Sequence, residues 1–218
     1  MAMPTDASLD QVEEAGAALQ LRRYQFAAKY VQAGNLLDIA CGDGSGACWL
    51  RQECSQLGAI TGVDLSVTAI GHAQQHFADP GMHFIVEDAM RYWDSAGFTN
   101  IVSLGTLEFL LDPRKFMMRT AGMLRNGGTF VASAPVTPSM DINPQHRSDF
   151  TEFDLRALAA ESDLIETACL TQVESFAPAS LTADYYKANP VKLLSRIGSM
   201  LRNGFKTRYL TIAWTKRA

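Results

Sequence analysis

The chain has 218 residues, 47% of them hydrophobic, and a formal net charge of −4. That is enough apolar material for one well-cored domain, and the charge balance argues against a broad attraction to nucleic acid or to an anionic membrane. No apolar run approaches the roughly 20 residues that span a bilayer, and the first sixteen residues lack the basic start and apolar core of a signal peptide, so no stable membrane insertion is expected.

In chain order, a helical pattern begins near Ser8, a residue suited to capping, and runs through ALQLRRYQFAAKYV to a stop at Gly34. Residues 1–33 are therefore an N-terminal helical segment. Strand-like and helix-like stretches then alternate: strand 36–40, helix 46–56, strand 59–64, helix 66–77 capped by Ser66, strand 82–88 and strand 98–104. A helix over 113–124 and a strand over 127–135, opened by a turn at Gly127 and Gly128, complete this part. Such alternation, with apolar strands, predicts an α/β fold whose mostly parallel sheet is covered on both faces. Farther on, the pattern predicts a helix over 150–161, a strand over 165–174 and a last strand over 207–216. Two irregular segments, 136–150 and 175–206, interrupt it, and long insertions at one end of a compact domain usually carry function. Without repeats or low-complexity tracts, the expectation is a single domain over residues 1–218.

The stretch LLDIACGDGSGACWL, residues 36–50, holds the most chemistry. Gly42, Gly44 and Ala47 satisfy the dinucleotide pattern G-x-G-x-x-G/A, a weak signal when it stands alone. A P-loop is excluded, because no Gly-Lys-Ser/Thr follows. Three acids weigh against a nicotinamide or flavin site. Asp38 lies inside the first strand, where it is a poor neighbour for a pyrophosphate but can accept from loop amides and face an ammonium group. Asp64 ends the second strand, where its two oxygens can chelate the two hydroxyls of a ribose, a feature dehydrogenases share and one that does not discriminate alone. Asp88 follows the third, placed to accept from the exocyclic amine of an adenine. Each acid also has a plain structural reading, as loop cap, helix cap or turn residue. Together they stand at successive carboxyl ends of parallel strands, the edge where such sheets bind ligands. The cysteines, Cys41, Cys48, Cys54 and Cys169, show neither CxxC spacing nor histidine neighbours, so no metal site is expected. As reduced thiols they fit a cytoplasmic protein, with Cys41 a small filler of the glycine turn.

LLDIACGDGSG, GVDLS, EDAM and SLGTLEFLLDP, taken in order, resemble the motifs of the class I S-adenosylmethionine-dependent methyltransferases, over roughly residues 34–135. The resemblance implies a Rossmann-like seven-stranded mixed sheet, its last strand antiparallel, flanked by helices, with a substrate-side cap built from the two insertions. It implies S-adenosyl-L-methionine as cofactor. The loop from Ala40 through Gly42 and Gly44 is then expected to wrap the methionine moiety, with Asp64 on the ribose and Asp88 on the adenine. Leu65 and Ala89 border the adenine, and Leu104 and Gly105 face the amino-acid part. RRYQFA resembles an element that precedes the sheet in relatives associated with glycosyltransferases, and there Arg23 and Tyr24 close over the cofactor carboxylate; the alternative is a core Tyr24 and a solvated Arg23.

The acceptor side is less legible. His146, in MDINPQH, is suited to deprotonate a hydroxyl, and a similar segment lies near the substrate in relatives. The competing reading is a histidine that only packs. Glu108 stands where many relatives carry an acid before a histidine, which is Phe109 here. The basic, amphipathic stretch 190–206 reads as a lid, a surface for a lipid-linked substrate or a helix packed on the sheet. The leading expectation is methyl transfer to a small-molecule acceptor, O-methylation of a sugar or other hydroxylated metabolite. The alternatives are an N- or C-methyltransferase on a natural product or quinone precursor, and an inactive cofactor-binding partner subunit.

Overall fold

A computed structural model describes residues 9–77, 79–137, 143, 145–175 and 206–218. Helix α1, Leu9–Ala28, precedes strand β1, Gly34–Ile39. Helix α2, Ser45–Glu53, leads to β2, Leu57–Asp64, and α3, Val67–His76, to β3, Met82–Val86. Strand β4, Phe98–Leu104, is followed by a 3-10 turn, Leu107–Phe109, then α4, Pro113–Met123, and β5, Leu124–Val136. Helix α5, Glu152–Glu161, and strands β6, Leu164–Ser175, and β7, Lys206–Lys216, complete the described chain.

The strands form one seven-stranded sheet in the order β3-β2-β1-β4-β5-β7-β6. Strands β1 to β5 pair in parallel, and β7 runs antiparallel to both β5 and β6. The expected mixed sheet with a reversed last strand is what forms. Its reversed strand alternates as its sequence requires: Leu210, Ile212 and Trp214 join one apolar layer, and Ala213 joins the other. The first layer lies beneath α4 and α5, and the second holds residues of α1, α2 and α3.

Local chemistry explains the boundaries. Ser66 Oγ accepts from the Ala69 amide, which caps α3. Asp112 caps α4 and Pro113 fills its first turn, while Thr151 and Asp154 close a capping box on α5. The turn expected at Gly127 and Gly128 sits inside β5 as an irregularity. The pairing runs from Phe98 opposite Leu124 to Asn100 opposite Thr129, and Gly127 has φ +75°. The 3-10 turn after β4 was not foreseen. Of the cap insertions, residues 138–142, 144 and 176–205 lie outside the described residues, as does nearly all of the basic stretch 190–206. Among the described residues, no helix is long and apolar enough to cross a membrane.

Candidate active site

Strand alternation aims Asp38. Leu37 and Ile39 enter the layer under α4 and α5, so Leu36 and Asp38 face α1 and α2. There the Tyr24 hydroxyl donates to Asp38 Oδ2 at 2.9 Å. The ring reaches it across Gly46, where a Cβ would run into the Tyr24 ring. Asp38 is fully buried, and among the described residues its Oδ1 has no hydrogen-bond partner. Burial pushes its carboxyl up to about 7; the Tyr24 hydrogen bond opposes that and the nearby Asp64 adds to it. Tyr24 itself is held well above the usual phenol range by burial and by Asp38.

The loop amides expected on Asp38 go elsewhere. Ala40 has φ +64°, a left-handed conformation that L side chains adopt at a cost, and Gly42 has φ +58°. The turned loop sends the Ala40 and Cys41 amides to the Val63 carbonyl and the Gly42 amide to Asp64 Oδ2, at 2.9 Å. Asp64 Oδ1 accepts from the Ser66 amide at 2.8 Å. Asp64 thus locks the β1 loop to the start of α3, and each of its oxygens keeps a lone pair beyond these bonds. Gly44, at φ +80°, precedes α2 and leaves room for Phe84 and Ala73. Cys41 is buried behind the loop, its thiol pushed up by burial, as a filler should be.

Past β3, Asp88 Oδ1 accepts from the Met90 amide at 2.8 Å, the turn reading allowed by the sequence. Its place is two residues beyond the end of β3. Leu65 is 70% exposed at the rim, while Ala89 packs against the core. Leu104 is buried at the end of β4, and Gly105, at φ +74°, gives its amide to Ser133 Oγ.

Arg23 is buried, contrary to the alternative of a solvated side chain. Its Nε donates to Gln172 Oε1 and its Nη1 to Gln20 Oε1, both at 3.0 Å, and the guanidinium lies 4.2 Å above the Tyr209 ring centroid. A Cβ on Gly105 would sit 3.7 Å from Arg23 Nη1 and 3.8 Å from Glu108 Oε1. A cation and a buried carboxylate thus flank the bare face of Gly105. Burial lowers the Arg23 pKa, against the pull of Tyr209, Glu108 and Glu174; an arginine stays charged there.

His146 is buried on the same sheet edge. Its ring meets Phe109 edge-on, with centroids 4.5 Å apart. The Glu108 carbonyl accepts from the Arg147 and Ser148 amides, which pins this loop to the 3-10 turn. The structure therefore brings Arg23, Tyr24, Asp38, the glycine loop, Asp64, Leu104 and Gly105 together, with His146 at their margin. Gln20, Gln172 and Tyr209 were not foreseen, since nothing local in sequence marks the contact of Gln20 with the Leu104 carbonyl or those of Gln172 and Tyr209 with Arg23.

Residues 37–132 match a family profile described as a methyltransferase domain. Probable S-adenosylmethionine-dependent methyltransferases of two Mycobacterium tuberculosis strains are 26% identical to the chain over 152 residues, covering 66% of it and 54% of each relative. The chain thus spans about half the length of those relatives. A putative methyltransferase from Bacillus halodurans shares the fold at a TM-score of 0.75 and 13% identity, covering 92% of this chain and 100% of that one. The N-methyltransferase NodS from Bradyrhizobium japonicum, crystallised with S-adenosyl-L-homocysteine, does so at 0.63 and 18%, covering 98% and 90%.

Proposed function

We propose that residues 37–132, which match a methyltransferase-domain profile, form a class I S-adenosylmethionine-dependent methyltransferase domain, and that the protein methylates a hydroxyl of a small-molecule acceptor, a sugar or similar metabolite. When bound, S-adenosylmethionine supplies a sulfonium-activated methyl group whose departure leaves a neutral thioether. The unpartnered, buried Oδ1 of Asp38 supports the fit, because it calls for a donor such as the ammonium of the methionine moiety. Arg23, beside Gly105, takes the carboxylate. Ala40, Gly42 and Gly44 shape the loop around the chain between them. Asp64 accepts from the ribose with its remaining lone pairs, Asp88 from the adenine amine, and Leu65 and Ala89 border the base.

The observation that carries the hydroxyl reading is His146, held against Phe109 on the edge that presents Gly105. An imidazole there removes the acceptor proton as the methyl arrives, a contribution of roughly 10²–10⁴-fold. The rest is positioning and exclusion of water. Phe109 at 39% and Leu111 at 82% exposure favour a second reading, transfer to nitrogen or carbon of an apolar ring. The thiols Cys41, Cys48, Cys54 and Cys169 are all free, which supports a cytoplasmic location.

Methyl transfer to a panel of glycosides, phenols and amines identifies the acceptor. On that acceptor, His146→Ala lowers turnover by about 10²–10⁴-fold and leaves affinity for S-adenosylhomocysteine unchanged. Wild-type turnover in the variant would reduce His146 to packing. A preference for amines in the panel would replace the hydroxyl reading.

A further inference from the structure

We infer that Gln172 and Tyr209 are positioning residues for Arg23, a platform that fixes its guanidinium for the carboxylate of the cofactor's amino-acid moiety. The inference rests on the S-adenosylmethionine reading above, and it assigns work to two strands that lie beyond the matched domain. Gln172 on β6 and Tyr209 on β7 are directly opposed in the ladder, so their side chains stand on one face of the sheet. Both meet Arg23 there, one through its amide oxygen and the other through its ring.

The platform over-determines the side chain. Gln172 takes the Nε hydrogen of Arg23 and anchors its own amide nitrogen on the Leu19 carbonyl, at 3.0 Å. Gln20 takes a hydrogen of Nη1 and anchors its nitrogen on the Leu104 carbonyl, at 3.2 Å. Each amide has its oxygen toward the cation and its nitrogen toward a backbone acceptor, so reversing either amide would break two bonds. The Tyr209 ring fixes the remaining freedom by supporting the guanidinium plane.

Such fixing is costly. Arg23 is 7% exposed as a residue, and a guanidinium buried to that degree has given up most of its hydration. A helix could be pinned to a sheet more cheaply by apolar contacts, as the apolar layer around Phe26, Ala27 and Val31 already does. The cation is spent instead at the carboxyl edge, with Nη1 beside the bare face of Gly105. An anion arriving there meets, opposite the Glu108 carboxylate that Arg23 offsets, a planar fork that needs no reorientation, which is how a preorganised arginine gains both affinity and selectivity.

Calorimetry with two probes separates this role from a merely structural one. S-adenosylhomocysteine carries the amino-acid moiety, and 5′-methylthioadenosine carries the same nucleoside thioether without it. Gln172→Met should weaken binding of the first by about tenfold and leave the second within twofold of wild type. In an Arg23→Met background the same substitution should change neither affinity. Tyr209→Leu tests the platform from the neighbouring strand, with the same selective loss expected, and serves if Gln172→Met fails to fold. Equal losses for both probes, or full additivity with Arg23→Met, would overturn the inference. A wild-type protein that binds neither probe would instead overturn the cofactor reading, and this inference with it.

Discussion

Asp38 keeps one oxygen under the Tyr24 hydroxyl and the other without a partner among the described residues, in a place solvent does not touch. A carboxyl so placed is held up to about 7, chiefly by burial. An ammonium group brought against it favours the ionised form and drives the proton off. Binding of S-adenosylhomocysteine should therefore release protons in mildly acidic solution, tighten as pH rises towards about 7, and level off above it. Calorimetry in two buffers of different ionisation enthalpy reads the proton count. Asp38→Asn, which cannot titrate, should abolish both the release and the pH slope. A wild type with no proton release at pH 6 would place the ammonium elsewhere. In the free protein the sign is opposite. A carboxyl raised above its unfolded value favours the native state most at low pH, and that contribution is lost between about pH 4 and pH 7.

The elements around that residue differ in how far the sequence disclosed them. Strands β1 to β5 were legible because a parallel sheet buried on both faces demands near-continuous apolar runs, such as Ile101 to Leu104 apart from Ser103. Strand β7 was legible because Leu210, Ile212 and Trp214 alternate with smaller or polar residues. Asp38 and Arg23 show the limit. That Asp38 is a strand acid could be read locally, but its partner Tyr24 depends on Gly46 lacking a side chain one element later. The loop amides turn to the Val63 carbonyl and, from Gly42, to Asp64 because Ala40 and Gly42 adopt left-handed conformations, which no hydrophobic period records. The passage from α1 to β1 is held in the same unpatterned way. Asn100 on β4 accepts from the Gln32 amide at 2.7 Å and donates to the Gln32 carbonyl at 2.8 Å, standing in for a strand partner. Asn100→Leu leaves both backbone groups to water and should cost about 1–2 kcal/mol, since Gln32 is exposed enough for solvent to compensate in part. Urea unfolding measures it, with affinity for S-adenosylhomocysteine unchanged. A loss of affinity beyond threefold would show that this anchor also sets the position of Arg23 and Tyr24.

Across the whole molecule, the groups proposed to bind the cofactor come from parts of the chain far apart in sequence that the fold brings to one edge of the sheet. Arg23 and Tyr24 belong to α1, Asp38 and the glycines to β1 and the turn after it, Asp64 to β2, and Gly105 to the end of β4. Besides the apolar packing of Phe26 and Ala27, helix α1 is tied to this edge by polar contacts, from Gln20 to the Leu104 carbonyl, from Arg23 to Gln172 and from Tyr24 to Asp38. A ligand that bridges these elements binds the folded state alone and stabilises it by mass action, by about 2.7 kcal/mol at a hundredfold excess over its dissociation constant. For a chain of this size each kcal/mol moves the melting temperature by about 2–4 °C, so saturating S-adenosylhomocysteine should raise it by about 5–10 °C. NAD at the same concentration should leave it unchanged, because its pyrophosphate would meet the buried carboxyl of Asp38 where a dinucleotide site presents bare amides. The comparison also tests the glycine pattern itself, which in isolation fits either ligand. A matching rise with NAD would return Gly42, Gly44 and Ala47 to the dinucleotide reading, and no rise with either would leave the three acids as caps and turn residues.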